Sequence, residues 1–294
     1  MISIKRLSEC SLDDALAAWN LGFEDYFVDI SFTLDVFLGR MAMEDLSPNL
    51  SIVAFDGEKP IGIVKSGIRE INGNKFAWNG GTAVAKDYRK RGVAKRLMHY
   101  LLAMYTEENV TSASLEAIKE NKMAIALYKG FGYVEKDELA NFSLKGSKPV
   151  RLSYALHEDV SIIETLPQKV GEISFYKSSY SWQTQWQSVQ NGEAIIAIDS
   201  SQREIGYAYF KRIFNKKFQH TTTVLYQCEA DPSHSNREEV TKFLLTKVFG
   251  DFSDDINRIV VNLPRKAGAT TYKLIQEIGF EITVKQVFMK KEWS

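Results

Sequence analysis

The chain has 294 residues, 45% of them apolar and 25% charged, a globular composition with room for two domains of ordinary size. Its 37 basic residues balance 37 acidic ones, so no net field draws it toward nucleic acid or a membrane, and only local basic clusters could do so. Cys10 and Cys228 are far apart and outside any Cys-x-x-Cys pair, which argues against a disulfide framework and fits a reducing cytosol. The first residues lack the apolar core of a secretory signal, no run is long enough to span a bilayer, and His99, His157, His220 and His234 are scattered. The expectation is a soluble, cytoplasmic protein with no metal, no nucleic-acid partner and no membrane partner.

Ile2, Ile4 and Leu7 predict a first strand, and Ser11 then caps a helix through Leu12, Ala15, Leu16 and Trp19. An aromatic and acidic connection from Gly22 to Ile30 leads to Thr33, which opens a second helix through Val36, Phe37 and Met41. Residues 50–55 and 60–68 read as two strands around the turn Asp56-Gly57-Glu58-Lys59. A second turn, Asn72-Gly73-Asn74, precedes a central strand over 76–84. Gly80-Gly81 inside that strand predicts a bulge, which would splay it and free N–H groups near Val84. Val93, Leu97, Leu101 and Met104 recur at helical spacing. A strand over 112–118, a short helix capped by Asn121 and ending at Gly130, and a hairpin of 132–136 with 141–144 complete the first half. Gly146-Ser147-Lys148-Pro149 reads as the linker, giving domains at 1–148 and 149–294.

The chain also resembles itself. Ile52-Val53-Ala54-Phe55-Asp56, a turn and Ile61-Gly62 are echoed by Ile195-Ile196-Ala197-Ile198-Asp199, a turn and Ile205-Gly206. Ala126 to Tyr133 is echoed by Leu274 to Phe280, at a similar offset, which predicts duplication of one fold. The second copy differs where chemistry would sit. A basic glycine loop is replaced by Asp231 to Val240 with Glu238 and Glu239 at the helix start, and Ile275 stands where the first copy has Tyr128.

That basic loop is the most informative stretch. Arg89, Lys90, Arg91, Lys95 and Arg96 crowd a helix start around Gly92, where the helix dipole already places partial positive charge. A bound anion would relieve the conflict, and glycine lets it approach the first-turn N–H groups; a solvated basic turn is the plainer alternative. Arg89-x-x-Gly92-x-Ala94 after a strand is followed by Leu115-Glu116, then Asn121, Ala124, Leu127-Tyr128 and Gly130-Phe131-Gly132-Tyr133. Together these resemble the acetyl-CoA core of the GNAT superfamily of N-acetyltransferases, nearest its ribosomal-protein N-acetyltransferase branch. Motifs carry the likeness over the first half; over the second it is only an outline.

The resemblance implies an α/β (α+β) architecture of two tandem GNAT-like domains, each a mixed, mostly antiparallel sheet flanked by helices, with only the first catalytic. It implies acetyl-CoA as co-substrate, held by Thr82, Ala83, Val84, Arg89, Lys90, Arg91, Gly92, Val93, Ala94, Lys95 and Asn121. Tyr128 would be the general acid that protonates the departing thiolate, and Glu116, twelve residues earlier, the general base that takes a proton from the amine. Each has a plainer reading, Tyr128 as a seal on the core and Glu116 as a strand residue paired with a lysine. Phe23, Glu24, Tyr26 and Phe27 are candidates to wall the pocket of a small-molecule or peptide amine, although the aromatic ones also read as core. With no cysteine near the motifs, attack on the thioester would be direct, through a tetrahedral intermediate. Members of the superfamily often dimerise, so a homodimer is compatible with the resemblance. A non-catalytic acyl-CoA sensor or interaction protein is the alternative; retention of both Tyr128 and Glu116 favours an enzyme. No Gly-x-Ser-x-Gly elbow, Walker loop or dinucleotide fingerprint is present.

Overall fold

The computed structural model describes residues 1–148, 152–156 and 160–293. They form two compact units, residues 1–136 with the C-terminal segment from Val287, and residues 137–286.

The first unit opens with β1 (Ile2–Arg6). Ser11 Oγ accepts the Asp14 N–H at 3.0 Å to start α1 (Leu12–Gly22), and Thr33 Oγ1 accepts from Val36 to start α2 (Leu34–Met43). An antiparallel meander follows, β2 (Ile52–Asp56), β3 (Lys59–Ile71) and β4 (Asn74–Val84). Its turns use Gly57 and Gly73 at φ +61° and +75°, a region other residues enter at a cost. Then come α3 (Val93–Glu107), β5 (Ser112–Ile118) and α4 (Lys122–Gly130). Strand order is β1-β2-β3-β4-β5, with the C-terminal segment beside β5. The amphipathic stripe of α3 buries Val93, Leu97, Met98, Leu101, Met104 and Tyr105 on the sheet, each contributing roughly 1.5–3 kcal/mol.

Two irregularities shape this sheet. The β3–β4 register steps from Lys65↔Gly81 to Ser66↔Asn79, so Gly80 is an extra residue, as the paired glycines suggested. A Cβ on Gly80 would meet the Trp78 ring at 2.7 Å, and one on Gly81 the Trp19 ring at 2.8 Å. In addition, parallel pairing of β4 with β5 runs only from Phe76↔Ser112 to Asn79↔Leu115. Beyond it the strands part.

The second unit is built from β6 (Val134–Lys145), β7 (Ser161–Thr165), the short α5 (Pro167–Val170), β8 (Glu193–Ile198), β9 (Glu204–Phe214) and β10 (His220–Ala230). After these come α6 (Arg237–Phe249), β11 (Asn257–Pro264), α7 (Ala269–Ile278) and β12 (Glu281–Glu292), the last of which carries the C-terminal segment. Its order is β12-β6-β11-β10-β9-β8-β7, with β6–β11, β10–β9, β9–β8 and β8–β7 antiparallel and β10–β11 parallel. Tyr180 and Trp182 are buried in this unit, and Tyr176 and Trp186 pack against its cluster of Val170, Ile173, Tyr207 and Tyr209.

One expectation is corrected. The hairpin of 132–136 with 141–144 is instead one uninterrupted strand from Val134, β6, because no glycine or proline separates its halves and Ala140, Phe142 and Leu144 bury in the second unit's core as the strand pairs with β11. At residues 146–148, read as the linker, Gly146 donates to Ile256 O and accepts from Arg258, and the Lys148 N–H reaches Phe252 O. Pro149 and His157 lie outside the described residues. Among the described residues, no helix is long and apolar enough to cross a membrane, and no cluster of three His, Cys, Asp or Glu could hold a metal.

Candidate active site

The parting of β4 and β5 leaves the edge of Gly80–Val84 without a ladder partner on that side. Free N–H groups on a strand edge are hydrogen-bond donors awaiting an acceptor. Thr82, Ala83 and Val84, expected at the cofactor, line this edge, and Asn79 braces it by accepting from the Gly81 N–H at 3.1 Å and the Thr82 hydroxyl at 3.1 Å.

On one side of the opening stands Tyr128. Asn121 Oδ1 accepts the Ala124 N–H at 3.1 Å and so starts α4, which carries Tyr128 inward until only 6% of it is exposed. Burial pushes its hydroxyl up to about 12, a hydrogen bond with Thr82 offsetting part of the effect. It therefore holds its proton across the physiological range. Asn121 also turns its amide toward the Tyr26 hydroxyl, 3.4 Å away.

Glu116 faces the opposite side of the sheet from the buried Leu115 and Ala117. Its Oε2 accepts the Trp78 indole N–H at 2.7 Å, while Oε1 is shielded from water and has no partner. Burial raises its carboxyl to about 7; the indole bond opposes that shift and the Glu44 carboxylate adds to it. The lysine partner of the plain reading is an indole instead. Sequence reasoning missed Trp78, yet a signal existed: Trp78 pairs with Ser114, and Glu116 lies two residues on, on the same face.

The basic loop divides into distinct jobs. Arg89 Nε donates to Val84 O at 3.0 Å, and its NH2 to Gly22 O and Glu24 O at 3.1 Å each. Its guanidinium thus fastens the loop after α1 to the end of β4, and its N–H donates to Lys86 O, so Arg89 is a brace for the loop and the anion donors begin at the head of α3. Arg91 lies over the Tyr88 ring and Arg96 donates to Ile2 O. Lys90 and Lys95 are exposed, and Val93 is sealed in the core with Ala94 half-buried. Gly92, at φ +81°, has open space where a Cβ would be and leads into the free N–H groups of α3.

Of the expected acceptor residues, Phe23 is core, 9% exposed and packed 4.4 Å from Trp19. Tyr26 stacks edge-on between Phe23 and Phe27, and Phe27 is 55% exposed. Glu24 is solvent-facing, whereas neighbouring Asp25 is paired with Lys86 at 2.8 Å. A buried cation on the same face went unnoticed in sequence: Lys65 Nζ sits 3.8 Å over Trp19, with Phe32 and Phe37 nearby. Desolvation lowers its ammonium to about 7, against the pull of Glu44.

Residues 13–133 match the family described as acetyltransferase (GNAT). The chain is 30% identical over 110 residues to N-alpha-acetyltransferase MAK3 of Arabidopsis thaliana, a match covering 36% of this chain and little more than half (56%) of that protein. The fold as a whole is similar to a GCN5-related N-acetyltransferase from Sphaerobacter thermophilus, with TM-score 0.67, 12% identity, and coverage of 99% of this chain and 95% of that one. It is similar also to a tandem GNAT protein from the clavulanic acid biosynthesis pathway, with TM-score 0.61, 11% identity, and coverage of 99% and 98%.

Proposed function

We propose that the GNAT acetyltransferase domain formed by residues 13–133 transfers an acetyl group from acetyl-CoA to a primary amine, and that the second unit is not catalytic. The carrying observation is the opened β4–β5 edge with Tyr128 hydrogen-bonded to Thr82 on it and the bare Gly92 turn at the head of α3. Acetyl-CoA as substrate supplies a thioester carbonyl and a diphosphate. The amides of Gly92 to Lys95 suit the diphosphate, with Lys90 and Lys95 adding charge. N–H groups of the Gly80–Val84 edge suit the carbonyl oxygen, where donors fixed in advance of the reaction stabilise developing charge.

Glu116 is assigned as general base. A carboxylate near 7 is half ionised at neutral pH and strong enough to draw a proton from an incoming ammonium, directly or through water. Tyr128 is assigned as the acid: it keeps its proton until a thiolate forms beside it. The attack is direct, through a tetrahedral intermediate, since Cys10 and Cys228 are the only cysteines and neither lies on the site's elements. Among the expected acceptor contacts, Tyr26, Phe27 and Glu24 remain for the amine's approach. The deciding experiment follows thiol release with small amines and peptide N-termini while acetyl-CoA binding is measured by calorimetry. An absence of binding heat at moderate salt overturns the reading.

A further inference from the structure

The strands β9 and β10 meet in a hairpin that the proposed chemistry does not use. From Ile205 to Cys228 there is no acidic residue, while Lys211, Arg212, Lys216 and Lys217 are all present. The neutrality of the whole chain, which argued against a membrane partner, averages over this segment.

Its end combines exposed apolar side chains with a turn held by hydrogen bonds. Ile213, Phe214 and Phe218 are 42%, 54% and 89% exposed. Asn215 locks the turn: its N–H donates to Gln219 O, its carbonyl accepts from Phe218, and its Oδ1 accepts the N–H groups of Lys217 and Gln219. Phe218 is held in the left-handed region at φ +59°, a turn position where glycine or asparagine costs less. A large apolar side chain in a strained backbone, pointing into water, contributes nothing to this unit's core. Behind the tip, Lys211 is tethered to Gln190 O and Arg212 to Glu193, leaving Lys216 and Lys217 as the exposed cations beside the rings.

We propose that this hairpin docks on an anionic lipid bilayer, with Phe214, Phe218 and Ile213 entering the headgroup–acyl boundary and Lys216 and Lys217 meeting lipid phosphates. Lys216 and Lys217 share the apical turn with Phe218, and Ile213 and Phe214 end the strand beneath it, so cations and apolar side chains reach a bilayer surface together. Two rings on a single turn, with aliphatic Ile213 among them, make no groove along which a nucleic-acid backbone could run while its bases stack.

The experiment is co-sedimentation of the full chain at low salt with phosphatidylserine-rich vesicles and with phosphatidylcholine alone. Binding is expected only to the anionic vesicles, and Lys216→Gln with Lys217→Gln should weaken it roughly 30-fold. Phe214→Ser with Phe218→Ser should weaken it more than about tenfold. Both variants lie on the surface and should keep wild-type acetyl-CoA affinity, which reports that they fold. Failure of the wild type to pellet with anionic vesicles overturns the proposal, as does wild-type binding by either double variant. Binding to a single-stranded RNA oligomer without vesicle binding, or a dimer in ultracentrifugation that Phe218→Ser abolishes without vesicle binding, overturns it equally.

Discussion

The two units carry the same irregularities and make different use of them. In the first, β3 and β4 slip register at Gly80 and pairing with β5 stops at Asn79↔Leu115. In the second, β9 and β10 slip between Leu225 and Gln227, and pairing of β10 with β11 stops at Leu225↔Val260. The opening is therefore a property of the backbone plan, not of the chemistry. What differs is its contents. In the second unit Thr271 Oγ1 donates to Cys228 O at 2.5 Å, and Tyr180 donates to Glu229 at 2.7 Å, so the chain's own side chains take up the parted strand. At the following helix start, Glu238 is paired with Lys242 and Lys273, and Glu239 with Lys242 and the Ala155 N–H, where the first unit has Gly92 and open space. On the proposed function, the splayed sheet of the first unit serves as a site because its edge and its helix start are both left unfilled, whereas those of the second are occupied.

The sharpest way to break this comparison is to give the first unit the contents of the second. Tyr128→Ile, the residue found at Ile275, or the milder Tyr128→Phe, should lower kcat by about 10²-fold or more while acetyl-CoA affinity stays near wild type. Unchanged turnover in steady-state thiol-release assays would remove the acid role. Next in size, Gly92→Glu places a carboxylate at the anion end of α3 and a side chain at φ +81°. Calorimetry should show acetyl-CoA affinity down by more than about tenfold, since like charge and a strained residue both oppose binding. Wild-type calorimetry should also give one acetyl-CoA per chain, and a second site of similar affinity would erase the distinction between the units.

Much of this was legible in sequence because it is local. The caps at Ser11, Thr33 and Asn121 each accept the N–H three residues on, and the Gly80-Gly81 pair announced the bulge. The resemblance carried the order of Gly92, Glu116, Asn121 and Tyr128. What was hidden depends on partners distant in sequence. Arg89 reads as a phosphate ligand until its guanidinium is found on carbonyls of Gly22 and Glu24, 67 and 65 residues away. Lys65 reads as an ordinary strand residue until Trp19, Phe32 and Phe37 enclose it. Nor does anything in the final residues announce that the segment from Val287 belongs with the first unit, since its apolar positions Val287 and Met289 join that core only after folding.

The smallest effects test whether a raised carboxyl marks chemistry. Among the described residues, each unit buries one carboxyl raised to about 7, Glu116 and Glu229, mainly by desolvation in both cases. Below about pH 4.5 both the folded and unfolded forms are protonated and neither group biases folding. As pH rises toward 7 the unfolded chain ionises while the folded one holds its proton, so each group lowers stability across that window and by a constant amount above it. Glu116→Gln and Glu229→Gln should each remove this loss, raising stability at pH 8 by on the order of 2–3 kcal/mol relative to pH 4.5 in denaturant titrations. On stability the two variants should agree. On activity they should separate: Glu116→Gln lowers kcat and abolishes the acidic limb near pH 7, because Glu116 keeps one carboxyl oxygen without a partner, whereas Glu229, which accepts from Tyr180 inside the second unit, leaves both untouched. If both variants changed the pH–rate profile alike, desolvation alone would account for Glu116, and the base would have to be sought elsewhere on the acceptor face.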